Sequence, residues 1–206
     1  MDIKVLICDD DKLIRESLKI LLPLDSEITV VSEACNGLEA IEICKNTKVD
    51  VALLDIRMPK VNGVEAVKKI VSETNTKCLI LTTFDEEKYV NEALRYGAKG
   101  YILKNNSPEQ IINAIKSVYN DTIVMNENIL GKIRGNEVEP KISSGKFTER
   151  EVEIIKAIAE GLSNKEVGKK LFISDGTARN YITTILDKTG LEHRTQIAIQ
   201  YLKGNL

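Results

Sequence analysis

Four short apolar runs in this chain each end on a residue that carries chemistry, and no other feature restricts the fold as much. Residues 3–8 (IKVLIC) run into Asp9-Asp10, 49–54 (VDVALL) into Asp55, 78–81 (CLIL) into Thr82-Thr83 and 98–103 (AKGYIL) into Lys104. Helical patterns lie between them. Ile14, Leu18, Leu21 and Leu22 share one helix face before Pro23 stops the pattern, and Ile111, Ile115 and Val118 repeat it after Ser107-Pro108, an N-cap followed by a first-turn proline. Five strand candidates alternating with five helices up to about residue 119 predict an α/β unit. Its parallel sheet is joined by right-handed crossovers and covered on both faces.

Ligands of such sheets bind at the carboxyl ends of the strands, so Asp9, Asp10, Asp55, Thr82 and Lys104 are expected to converge in one crevice. Clustered carboxylates resist ionising together unless a cation sits among them. Hard oxygen ligands suit Mg²⁺, and a lysine can hold an added phosphoryl oxygen. Asp55, the lone acid at its strand end, is the expected nucleophile, because a carboxylate can accept a phosphoryl group directly. Asp11 reads instead as a helix cap.

Composition is that of an ordinary globular protein, and 206 residues allow two modest domains. No uninterrupted apolar span suggests a membrane helix, and the N-terminus lacks a signal-peptide layout, so a cytoplasmic protein is expected. Cysteines at 8, 35, 44 and 78 show no metal spacing and are expected as buried thiols. Residues 146–206 carry ten Lys/Arg against eight Asp/Glu, whereas the remainder carries nineteen against twenty-three. That basic bias is weak, so nucleic-acid binding has to rest on pattern rather than bulk charge.

Residues 120–146 turn rich in Asn, Glu, Gly and Lys, as a linker does, with a short apolar patch at Ile129, Leu130 and Ile133. From Thr148 the pattern is wholly helical. Thr148 with Glu151 and Ser163 with Glu166 form capping boxes, Gly161 and Gly190 punctuate helix ends, and Val152, Ile155, Ala159 and Leu162 form an apolar stripe. In the third helix of this region, behind the N-cap Ser174, Ala178, Ile182 and Ile185 face one way while Arg179, Asn180 and Thr183 face the other, with Thr177 near the start. A helix lying in a DNA major groove needs that division.

The ordered set of Asp-Asp, Asp, Thr and Lys, with Met58-Pro59 and then Gly63 after Asp55, resembles the receiver domain of bacterial two-component response regulators. TEREVE, GLSNKEV and HRTQIA resemble the LuxR-type helix-turn-helix, so the whole chain resembles the NarL/FixJ-type regulators. The resemblance implies a flavodoxin-like, doubly wound, five-stranded parallel sheet in order 2-1-3-4-5, followed by a small all-α four-helix domain. The boundaries read as a receiver at 1–120, a linker at 121–145 and a DNA-binding domain at 146–206.

The resemblance also implies roles. Asp9 or Asp10 or both hold Mg²⁺ with Asp55 and the backbone carbonyl of Arg57, while Lys104 and Thr82 take phosphoryl oxygens. Thr82 and Tyr101 form a switch pair, in which the hydroxyl moves to the phosphoryl group and the ring turns into the vacated space. Phe84, bulky for its place, is expected to slow water attack on the phosphoryl group. Lys165, Thr177, Arg179, Asn180, Thr183 and Lys188 contact DNA, with Lys169 and Lys170 as further phosphate contacts, and Ile197, Ala198, Tyr201 and Leu202 give the last helix a face for pairing two such units. His193, the only histidine, is assigned to a capping or surface role. The expected partners are a sensor histidine kinase, promoter double-stranded DNA and a second copy of the chain, with no membrane. An enzyme hydrolysing phosphate esters on Asp55 would want a second acid two residues on, where Arg57 stands. A flavin domain would want a glycine loop after the first strand, and none is present. A constitutive DNA-binding protein would not need the ordered acceptor set.

Overall fold

The computed structural model describes residues 2–83, 87–124 and 146–206. In chain order the elements are β1 (Ile3–Cys8), α1 (Lys12–Leu21), a 3₁₀ turn at Leu22–Leu24, β2 (Ile28–Ala34), α2 (Gly37–Asn46), β3 (Val51–Leu54), α3 (Gly63–Glu73), β4 (Lys77–Thr82), α4 (Glu87–Arg95), β5 (Gly100–Leu103) and α5 (Pro108–Tyr119). Then follow α6 (Glu149–Ala159), α7 (Asn164–Leu171), α8 (Asp175–Thr189) and α9 (Arg194–Leu202). The chain divides into two compact units, Met1–Asn120 and Asp121–Leu206. Phe84 and the patch at Ile129, Leu130 and Ile133 lie outside the described residues, as does most of the stretch read as linker.

The five strands of the first unit form one parallel sheet in the order β2-β1-β3-β4-β5. Every residue of β3 is buried, as are Val5, Leu6 and Ile7 of β1 and Cys78 to Leu81 of β4, because helices cover both faces. β3 starts two residues later than the sequence pattern suggests. Asp50 is held there by its own pair of bonds with Lys4, whose carbonyl accepts the Asp50 N–H and whose N–H donates to Oδ2. Three cysteines are buried, and burial pushes their thiols well above the ordinary range, Cys44 to about 11. Cys35 corrects the expectation: it is exposed, its thiol donating to Glu39 Oε1 at 3.3 Å.

In the second unit both capping boxes form, and Gly161 and Gly190 adopt positive φ at the helix ends. The core contains Ile154, Ile155 and Ile158 of α6, Val167 of α7, Ala178, Ile182 and Ile185 of α8, and Ile197 and Ala198 of α9. Two expected stripes need correcting. The inward face of α6 is Glu151, Ile154, Ile155 and Ile158, while Val152 and Ala159 are only half-buried. On α9, Ile197, Ala198 and Leu202 are buried and Tyr201 packs on the same core, so that stripe is not a free face for pairing.

Glu151 explains the rotation of α6. Its carboxylate accepts from the Thr148 amide at 2.8 Å, closing the capping box, and from the Lys188 ammonium at 2.7 Å. The hydrogen bond from Lys188, opposed by burial and aided by Thr148, holds its pKa below the ordinary glutamate range. A depressed acid pKa adds stability above that range, which is lost as pH falls through the folded value. Thermal unfolding of the full chain between about pH 7 and pH 3 should therefore show the second unit weakening with acid, less steeply in Lys188→Met. Parallel slopes for the two proteins would contradict this.

Candidate functional site

Each strand delivers its terminal residue to the same end of the sheet, held by the last rungs of the ladder. The Asp55 N–H donates to the Cys8 carbonyl at 2.8 Å, the Asp9 N–H to Ala34 at 3.2 Å and the Lys104 N–H to Thr82 at 2.8 Å. Asp9, Asp10 and Asp55 thereby bring carboxylate oxygens within 4.8 Å of one another. Lys104 Nζ reaches Asp9 Oδ2 at 2.6 Å and Asp55 Oδ1 at 3.3 Å. Asp9, Asp55 and Thr82 are buried, whereas Asp10 faces solvent at the open side of the cluster. Arg57 follows two residues after Asp55, its side chain exposed.

Burial raises the Asp55 pKa above the ordinary carboxylate range, with the charge of Lys104 opposing the rise and that of Asp9 adding to it. At Lys104 burial works against the charge, but the Asp9 hydrogen bond and the charges of Asp55 and Asp9 prevail and raise its pKa. The Lys104 ammonium at 2.6 Å is the charged neighbour of the buried Asp9 Oδ2. A hard divalent cation fits this donor set, because three carboxylates converge against one ammonium and the cation would relieve the repulsion left among them.

Two supports of the site escaped the sequence reading. Arg15, on the first turn of α1, donates through Nη1 to the carbonyls of Asp9 at 2.8 Å and Asp10 at 3.2 Å, so a guanidinium fastens the acidic loop from behind. The thiol of Cys8 lies 3.3 Å from Met58 Sδ, tying the loop after Asp55 to the end of β1. Neither Arg15 nor Cys8 carries a sequence signal for these contacts. Gly63 was legible: a Cβ there would stand 2.0 Å from the Asp55 carbonyl oxygen. Its N–H donates to Ile56 O at 3.0 Å. Asp11 caps α1, accepting from the Leu13 amide. Tyr101, opposite Ile80 on β4, is 2 % exposed, so its ring is buried.

In the second unit α8 presents Arg179, Asn180 and Thr183 outward, while Ala178, Ile182 and Ile185 are buried. Ser174 caps the helix by accepting from the Thr177 amide at 3.0 Å, and its hydroxyl meets that of Thr177 at 2.8 Å. Thr183 bonds back to the Arg179 carbonyl. Arg179 makes only a loose contact with Asp175 at 3.8 Å. Lys165 and Lys169 stand exposed on α7. Lys188 and Lys170 are instead engaged by Glu151 and Glu160, which weakens the case for each as a phosphate contact. His193 precedes α9, and its N–H donates to Gln196 Oε1 at 3.2 Å.

Comparison with known proteins agrees with both halves. Residues 5–116 match the response regulator receiver domain, and residues 146–201 match the bacterial regulatory proteins of the luxR family. The chain is 39% identical to the transcriptional regulatory protein LnrK of Bacillus subtilis (strain 168), over 96% of this chain and 95% of that one. It is 36% identical to the oxygen regulatory protein NreC of Staphylococcus carnosus (strain TM300), covering 98% of each. Among solved structures, the receiver domain of the putative response regulator NarL from Mycobacterium tuberculosis aligns at TM-score 0.56 and 35% identity, over 57% of this chain and 96% of that one. The response regulator ChrA of a heme-sensing two-component system aligns over 100% of this chain and 99% of that one, at TM-score 0.54 and 27% identity.

Proposed function

The chain belongs to the two-component response regulators that join a receiver domain to a LuxR-type DNA-binding domain and regulate transcription, and on that premise we propose that Asp55 is its phosphoacceptor. The observation that carries this reading is the cluster of Asp9, Asp10 and Asp55 with Lys104 Nζ bridging two of the three. A sensor histidine kinase supplies the phosphoryl group. Asp9, Asp10, Asp55 and the Arg57 carbonyl would hold Mg²⁺, which would supply countercharge for the phosphoryl oxygens. Asp55 attacks phosphorus as the carboxylate, forming a P–O bond as the P–N bond to the kinase's phosphohistidine breaks and its imidazole leaves. Lys104 exchanges part of its pairing with Asp9 for a phosphoryl oxygen, and the Thr82 hydroxyl donates to another.

The new charge draws Thr82 toward Asp55 and biases the packing around Tyr101, so the two states differ at β4, β5 and α4. The output is binding of promoter DNA in the cytoplasm by a pair of chains, with α8 in the major groove. The chain is a switch rather than an enzyme, because Arg57 stands where a phosphohydrolase would need an acid to protonate a leaving group. A test uses duplexes selected from a random pool by the phosphodonor-treated full chain. Affinity for them should rise on phosphorylation. Arg179→Ala should cost about 1–3 kcal/mol on the selected site and relax preference at one position, whereas Lys165→Ala should weaken all duplexes alike and reduce the salt slope by about 1. Equal losses on selected and unrelated duplexes for Arg179→Ala would remove α8 as the reading element.

A further inference from the structure

The Arg15 side chain is only 15 % exposed, an enclosed place for a guanidinium at the start of a surface helix. Nη1 serves two carbonyls at once, Asp9 O at 2.8 Å and Asp10 O at 3.2 Å, and Nε makes a looser ion pair with Glu33 of β2 at 3.9 Å. The guanidinium therefore ties the acidic loop to α1 and to the edge strand of the sheet. The two carboxylates of that loop depend on it unequally. Asp9 keeps two other anchors: Oδ1 accepts the Asp11 N–H at 3.0 Å, and Oδ2 meets Lys104 at 2.6 Å. Asp10 is exposed, yet its carboxylate comes within 4.8 Å of those of Asp9 and Asp55. Its aim follows its backbone, and Arg15 holds the Asp10 carbonyl.

We propose that Arg15 is a positioning residue for the divalent-cation site: it fixes the Asp9-Asp10 backbone so that the Asp10 carboxylate stays turned toward Asp55. This rests on the cation part of the function proposed above and not on its phosphoryl step. The sign of the effect separates positioning from charge. By charge alone a guanidinium repels an incoming cation, and its removal would also leave Glu33 as an uncompensated negative group nearby. Charge alone therefore predicts tighter cation binding without Arg15. Positioning predicts weaker binding, because the ion would then have to order the loop itself. Two short bonds to the backbone of the ligand residues, against a charge already facing Glu33, favour positioning.

Mn²⁺ is the probe, because carboxylate and carbonyl oxygens take it as they take Mg²⁺. The electron paramagnetic resonance signal of the free ion reports its binding to the full-length protein, and the relevant site is the one lost in Asp10→Asn. In Arg15→Met the dissociation constant at that site should rise about tenfold, the low end for removing a support behind metal ligands. Arg15→Lys keeps the charge and one donor for the carbonyls, so its constant should fall between those of the wild type and Arg15→Met; it decides the matter if Arg15→Met does not fold. A merely structural role would lower the melting temperature but leave the constant of the folded protein unchanged. An unchanged or tighter constant in Arg15→Met, or a wild-type constant in Arg15→Lys, would overturn the proposal. A wild type without an Asp10-dependent site would overturn it together with the cation reading. Weaker Mn²⁺ binding in Arg15→Met alongside an Asp55 that takes no phosphoryl group would undo only the phosphoryl step and support the role of Arg15.

Discussion

Asp55→Asn is expected to keep the receiver folded, to make it more stable at neutral pH and to abolish every phosphodonor-dependent gain in DNA affinity. Burial, and then the charge of Asp9, raise the Asp55 pKa, so the folded state holds a proton there more tightly than the unfolded chain does. The sign for a raised pKa is that stability is fully present below the ordinary carboxylate range and declines as pH rises through the folded value. At neutral pH the wild type bears that loss, and an uncharged asparagine does not. Lys104 keeps Asp9 at 2.6 Å, so removing the Asp55 charge leaves the ammonium with a partner. Thermal unfolding of both proteins from mildly acidic to neutral pH reads the stability: the two should converge in acid and separate in favour of the variant as pH rises. A variant less stable at neutral pH would mean that Asp55 holds the fold together through Lys104 rather than waiting as an acceptor.

Gly63→Ala should be among the most damaging single substitutions in the receiver. The added Cβ would lie 2.0 Å from the Asp55 carbonyl oxygen, 2.9 Å from its carbon and 3.1 Å from Ile56 Cα, all backbone atoms. Asp55 cannot yield cheaply, because its N–H is fixed to Cys8 at 2.8 Å. Either α3 moves, breaking the bond from Gly63 N–H to Ile56, or the acceptor loop moves and takes the carboxylate with it. Overpacking of this kind costs about 1–3 kcal/mol or more, and phosphoryl uptake should slow along with the loss of stability. Denaturant midpoints and the uptake rate measure the two effects. A stability change within about 0.5 kcal/mol would show that the loop has freedom the geometry denies it.

The receiver was legible because its chemistry sits where secondary structure changes. Strand ends are visible in sequence as apolar runs meeting Asp, Thr or Lys, and a parallel sheet brings such ends together whatever the loops do. Its strand order, 2-1-3-4-5, came from the resemblance and not from the runs themselves. Periodicity failed on α6 because one inward position is a glutamate. Glu151 is buried by virtue of Thr148 and Lys188, and a hydrophobic pattern has no means of counting a paired charge as core. The stripe on α9 was correctly seen as apolar, but a stripe does not say whether its own unit or another covers it. Arg15 stayed invisible, and Arg194 was seen only within HRTQIA, for a related reason: both bind main-chain carbonyls, which every residue has and no pattern marks. The residues at 121–123 read as linker because their polarity and brevity hide one isoleucine that reaches the neighbouring core.

Intact mass after incubation with a small phosphodonor, with and without Mg²⁺, tests the phosphoacceptor reading most directly. One phosphoryl addition that requires Mg²⁺ and is absent from Asp55→Asn is the predicted result. No addition under any condition, or an addition that survives in Asp55→Asn, would contradict it.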